Sequence, residues 1–214
     1  MRSSSAEQVR KEKEHDMTWV SPSVMRDGLT LTQRLKQSTR EVHERLHEHP
    51  IMAALLSPQL SRQQYINILV AFYGFYRPCE FAVKEMPCIT TSRVTWLEAD
   101  LNALQYNINQ VALCEIIPDL QTFSNYLGYH YVVEGSSLGG QVIYRQIQVT
   151  LGLTPQTGAR FFHGYGKNTA ATWRETLALL ESQVSHVHDE IVCSAIETFL
   201  CLERWLWHCH ERTI

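Results

Sequence analysis

The sequence predicts an all-α fold, a single-domain helical bundle, on three observations. Apolar residues recur at helical spacing along the chain, beginning with Leu31, Leu35, Val42 and Leu46. No alternating apolar–polar run of strand length survives anywhere, and no internal repeat is visible. Helix-start signals stand in front of the apolar runs, as at Ser61 with Gln64 three residues on, the pattern of a capping box. The 214 residues suffice for one domain with a substantial core and are too few for two comfortable ones. Seven to nine helices are expected.

Residues 1–28 are polar and charged and then hold Pro22 and Gly28, which reads as a flexible arm. The helical domain is expected to span residues 29–210. Its first helical region starts near Leu31, with Thr30 or Thr32 as cap, and Pro50 and Ser57-Pro58 close it. The helix capped by Ser61 carries Tyr65, Ile68, Leu69, Phe72, Tyr73, Phe75 and Tyr76, and Pro78 should kink or stop it. A short helix follows over Val94–Leu104. A linker containing Pro118 leads through Leu120 to a glycine-interrupted helix that ends at Leu151-Gly152. Thr154-Pro155 is read as the start of another helix through Phe161 and Phe162, and Gly164-Tyr165-Gly166 as a turn. Two further helices run over Thr169–Leu180 and Ser185–Trp207.

Composition narrows the function. Hydrophobic content of 44% and charged content of 19% are globular values. The formal net charge of −3 argues against a nucleic-acid partner, which calls for a basic stripe. Any basic patch must be small and suited to a compact anionic ligand. The six cysteines, Cys79, Cys88, Cys114, Cys193, Cys201 and Cys209, are scattered with no C-x-x-C pair. They read as mostly buried thiols in a reducing compartment. The N-terminus lacks the apolar core of a signal peptide, and the apolar tail Ile191–Trp207 is broken by Glu197, Glu203 and Arg204. A cytoplasmic protein without a membrane span is expected.

The most unusual stretch is Gly128–Arg145. Gly135, Gly139 and Gly140 stand in the middle of a helical pattern, with Ser136 and Ser137 between them. An interior glycine costs about 0.5–1 kcal/mol relative to alanine, so three so close together need a reason. Gly135 and Gly139 share a face, Gly140 lies beside them, and bare backbone lets something flat or bulky approach. A crossing helix would serve, and so would a planar metallocofactor. His43 sits beside the Val42/Leu46 stripe, with Lys36 two turns earlier on nearly the same face. A histidine there is more often a hydrogen-bonded core residue than a ligand, and a lone lysine is usually solvated. Together they match what haem needs, a neutral imidazole for iron and cations for its propionates. His47 and His49, near Pro50, read as surface caps; His186 and His188 cannot share a helical face; His208 and His210 lie in what reads as a frayed tail.

LKQSTREVHERL (35–46) and YVVEGSSLGGQVIYR (131–145), with WLEADLNAL (96–104), GARFFHGYG (158–166) and the Trp173-Arg174 pair, resemble the bacterial biliverdin-producing haem oxygenases. The resemblance runs from about Leu31 to Trp207. It implies haem held between a proximal helix and a glycine-kinked distal helix, with His43 as the iron ligand. Catalytic roles fall on His43, Gly135, Ser136, Gly139 and Gly140. Haem binding falls on Lys36, His43, Gly135, Gly139 and Arg174, with Lys167 and Arg145 as alternatives to Arg174. Ser136 stands where animal relatives carry an aspartate. The activity implied is cleavage of haem to biliverdin, CO and ferrous iron, with haem as both cofactor and substrate. Backbone, serine hydroxyls and room for water would deliver protons gently, unlike a peroxidase's acid–base side chains. No flavin, NAD or iron–sulfur motif is present, so electrons must come from a separate ferredoxin or NAD(P)H-dependent reductase. A biliverdin-using photoreceptor is a further implied partner.

Two other readings stay open at this point. A haem carrier or sensor would share His43 and not turn haem over. A di-iron oxidase would need two Glu-x-x-His pairs, and only Glu44-x-x-His47 and Glu12-x-x-His15 exist, the latter in the polar arm.

Overall fold

In the computed structural model, residues 28–86 and 92–212 are described, so residues 1–27 of the expected arm and Cys88 lie outside the described residues. The fold is all-α, with no strand among the described residues. Thr30 caps α1 (Leu31–Ser38) in a capping box with Gln33. The chain then breaks at Thr39 and continues as α2 (Arg40–Glu48), so the expected single helical region is two helices. His49 caps a short α3 (Pro50–Leu55), its Nδ1 accepting the Ile51 N–H at 3.1 Å. This cap is buried and not a surface one.

Ser61 and Gln64 form the expected capping box at the head of α4 (Arg62–Ala82). Pro78 neither stops nor frees this helix, for an identifiable reason. Proline cannot donate to the carbonyl four residues back, which is that of Gly74. The Cys114 N–H takes that carbonyl instead, at 2.9 Å. Gly74 is what admits the loop: a Cβ there would lie 2.6 Å from both the Ala112 oxygen and the Trp205 ring.

The head of α5 (Arg93–Ala103) is bound by Glu80 of α4, which accepts the Arg93 and Val94 N–H groups at 2.6 and 3.1 Å. Helix α6 (Phe123–Leu151) runs unbroken through Gly135, Gly139 and Gly140, and Gly152 ends it in the left-handed conformation (φ 65°). The segment after it differs from expectation. Thr154–Gly158 forms turns, not a helix, and only one helical turn, α7 (Arg160–His163), follows. Gly158 has φ +124°, which no helix tolerates, and Asp100 fixes the start of α7 by accepting the Arg160 and Phe161 N–H groups. The bundle closes with α8 (Thr169–Glu181) and α9 (His188–Glu211). His208 and His210 are therefore helical, not frayed.

Helix α9 makes the most extensive packing in the fold, along α6. The crossing centres on Gly128, where a Cβ would lie 2.5 Å from the Ile191 oxygen and 2.7 Å from the Ala195 nitrogen. Trp205 ties α9 to α4 by donating to the Ala71 carbonyl at 2.7 Å. Cys79, Cys114 and Cys201 are buried free thiols, and Cys193 and Cys209 are half-buried. No helix among the described residues is long and apolar enough to cross a membrane.

Candidate haem site

The three clustered glycines of α6, Gly135, Gly139 and Gly140, are not equivalent. Gly140 is buried and backs onto α7, where a Cβ would sit 3.2 Å from the Phe162 carbonyl oxygen. Its missing side chain serves packing. At Gly135 a Cβ would meet the edge of the Trp173 ring at 3.3 Å. At Gly139 nothing lies within 4 Å, so bare backbone faces open space. This is the surface that a flat ligand can approach.

Ser136, exposed beside that surface, donates its hydroxyl to the Val133 carbonyl at 2.7 Å, one turn back. The same hydroxyl is also hydrogen-bonded to the buried Tyr76. Ser137 lies on the other side of the helix and accepts from Arg93 at 3.1 Å. Arg93 also pairs with Glu134 at 3.0 Å, both side chains almost wholly buried. The Tyr165 hydroxyl donates to Glu134 at 3.2 Å, and the guanidinium lies over the Trp96 and Tyr165 rings. The sequence reading missed this pair, although Glu134 interrupts an apolar run and could have signalled it.

His43 is on the exposed side of α2, its ring edge-on to Phe199 of α9 at 5.8 Å and to His47 at 4.5 Å. Burial against its neighbours, then the charge of His47, hold its pKa below the ordinary histidine value, and Glu44 opposes them. The imidazole is therefore neutral near pH 7, the form that ligates iron. One turn before it, Thr39 at the α1–α2 break is hydrogen-bonded to Tyr131 of α6. The Thr39 hydroxyl donates to the Leu35 carbonyl at 2.8 Å, so it accepts from the phenol. Tyr131 is one turn before Gly135. The proximal and glycine-bearing segments thus meet at Thr39–Tyr131, one turn short of His43 on one side and of Gly135 on the other.

Lys36, Arg145, Lys167 and Arg174 are all exposed, and none forms an ion pair among the described residues. By contrast Arg34 and Arg45 are committed to Asp189 and Glu203 of α9. The first four are free to meet an anionic ligand. A neutral exposed imidazole, a bare helix surface and unpaired cations together fit an iron porphyrin with two carboxylates. No cluster of three or more metal-binding side chains exists among the described residues, so nothing there supports the di-iron reading.

A family model described as Heme oxygenase matches residues 29–207. The chain belongs to that family. Its fold is similar to that of the NO- and CO-bound heme oxygenase of Neisseria meningitidis, at 23% identity and TM-score 0.65, over 86% of this chain and 94% of that one. The heme oxygenase of Leptospira interrogans matches at 15% identity and TM-score 0.69, over 84% and 100% of the two chains. A cyanobacterial heme oxygenase from Synechocystis, solved in complex with heme, matches at 16% identity and TM-score 0.63, over 86% and 94%. No curated protein matches the chain. At these identities the structural likeness carries the heme oxygenase fold alone.

Proposed function

We propose that this heme oxygenase family member binds haem through His43 and, with O2 and electrons from an external donor, opens it to biliverdin, CO and ferrous iron in the cytoplasm. The observation that carries the reading is the open backbone at Gly139, on a helix whose other three glycines each face protein contacts. Haem, when bound, supplies the iron that binds oxygen and is itself the molecule oxidised.

The chain's own groups have distinct tasks in this proposal. His43 supplies a neutral ligand, which pushes less electron density toward O–O cleavage than a thiolate would. Lys36 and Arg174 meet the propionates, with Lys167 and Arg145 as the next candidates. Ser136 cannot give its proton to the pocket while that proton is held by the Val133 carbonyl. It therefore offers lone pairs that orient water beside Gly135 and Gly139, and the water delivers protons. No carboxylate or histidine stands in the 135–140 stretch to pull the O–O bond apart as a peroxidase does. A ferredoxin or NAD(P)H-dependent reductase is the proposed electron source, and a bilin-using photoreceptor a proposed recipient.

The test is to add haemin and a reductant aerobically, then identify the pigment and assay CO. Biliverdin with released CO supports the reading. Haem that binds and persists unchanged through many reducing equivalents would make the protein a carrier or sensor instead.

A further inference from the structure

We propose that Trp173 sets the rotational seating of the haem and thereby which meso carbon is opened, an inference that rests on the function proposed above. A ring lying on the Gly135–Gly139 face meets two different surfaces. Over Gly139 there is no atom within 4 Å of the position a Cβ would take. Over Gly135, Cη2 and Cζ3 of Trp173 stand 3.3 and 3.4 Å from that position. The face is open at one end and closed at the other by the far edge of an indole.

That edge is held from several directions. The indole lies against Tyr131 at 5.5 Å, and Tyr131 is tied through its hydroxyl to Thr39. The helix carrying Trp173 is anchored at its other end, where Glu181 accepts the Thr32 N–H at 2.9 Å. The exposed cations do not have this definition. Lys36, Lys167, Arg145 and Arg174 are long, solvated and unpaired, so they can follow a propionate through a range of positions. Cations of this kind hold a carboxylate through a range of ring positions, and a rigid contact on the ring face narrows that range. The packed indole is a steric stop, and Arg174 follows it directly in sequence. Trp173 is thus a specificity-determining contact that acts beside the cations.

The experiment compares wild type with Trp173→Ala and Trp173→Phe, the latter removing the atoms that reach Gly135 while keeping an aromatic ring for Tyr131. Haemin is added to each, the haem-methyl NMR pattern of the bound ferric state is recorded, and the biliverdin isomers are separated after turnover. Expected are one dominant pattern and one dominant isomer in wild type. Both variants should show a second set of haem-methyl resonances and lose the dominance of the wild-type isomer, Ala more than Phe. Wild-type patterns and isomer ratios in both haem-loaded variants would overturn the proposal. A wild type that binds haemin and yields no biliverdin contradicts the proposed function instead, and the haem-methyl patterns still decide the seating.

Discussion

Arg93 and Glu134 form an ion pair of 3.0 Å, both side chains almost wholly buried, on the side of α6 turned away from the Gly135–Gly139 face. The pair joins α5 to α6; the Tyr165 hydroxyl donates to Glu134, and Arg93 donates to Ser137. It holds the helix from behind while its front is bare.

Breaking that pair on one side should be far worse than removing it whole. Arg93→Met strands a buried carboxylate and should cost about 3–5 kcal/mol of stability. Adding Glu134→Leu should recover most of the loss, because the stranded charge is gone. Urea unfolding of the two variants checks this. Equal stability of the single and double variants would contradict it.

The glycines give a contrast within one helix. Gly128→Ala should be strongly destabilising, since its Cβ would lie 2.5–2.7 Å from the α9 backbone. Gly139→Ala meets nothing within 4 Å and should leave apo-protein stability unchanged or raise it by up to about 1 kcal/mol through helix propensity. The same Gly139→Ala change should depress haem degradation. Thermal melts of the apo-proteins, paired with haemin turnover, read both effects. An apo-protein destabilised by Gly139→Ala that still degrades haem at the normal rate would contradict the role given to this glycine.

Acid sensitivity follows from the buried histidines. Burial is the leading cause that holds His49 and His130 below the ordinary value, as it does His43. At His49 the Nδ1 accepts the Ile51 N–H, so the proton sits on Nε2, which is buried without a hydrogen-bond partner. A depressed base means that the unfolded chain takes up protons first. Their contribution is therefore complete above the unfolded value of 6.5 and declines as pH falls below it. Asp100 works with the opposite sign: burial raises it from 3.8 to about 6, so its share of stability increases as pH falls through that window. Melting temperatures should thus fall as pH drops from about 6.5, where the unfolded chain's histidines protonate, with Asp100 opposing them below about 6. A flat profile there would contradict the assignment.

Loss of one cation should weaken haem binding without touching the fold. Lys36 is exposed, so Lys36→Ala should reduce affinity by about 1 kcal/mol, toward the exposed end of charge-pair energies. Arg174→Ala should act similarly, and the circular dichroism of both apo-proteins should match wild type. Haemin titration reads the affinities. Unchanged affinity in both variants would move the propionate contacts to Lys167 or Arg145.

Local signals with a covalent or steric cause were legible in the sequence. The capping box at Ser61, a cap at Thr30 and the helix end at Leu151-Gly152 stand as read. What failed depended on distant partners. Pro78 reads as a kink or a stop, and the helix is not stopped because Cys114, distant in sequence, satisfies Gly74. The break at Thr39 has no breaker residue, and its φ of −92° and ψ of −3° lie near the helical region. The glycine cluster was visible as a cluster, yet only packing distinguishes Gly128 and Gly140 from Gly139. Trp173 stood out in the sequence only as part of the Trp173-Arg174 pair, and its contact with Gly135 was not legible because it joins two helices far apart in sequence.

The central claim, that His43 holds the iron of a haem this protein degrades, is tested most directly by aerobic haemin turnover in wild type and His43→Ala side by side, with and without added imidazole. Wild type should release biliverdin, and His43→Ala should bind haem with an altered Soret band and release none. Imidazole should restore turnover by entering the space that the side chain leaves. A His43→Ala variant with the wild-type Soret band and rate would contradict the account and turn attention to His47, 4.5 Å away ring to ring.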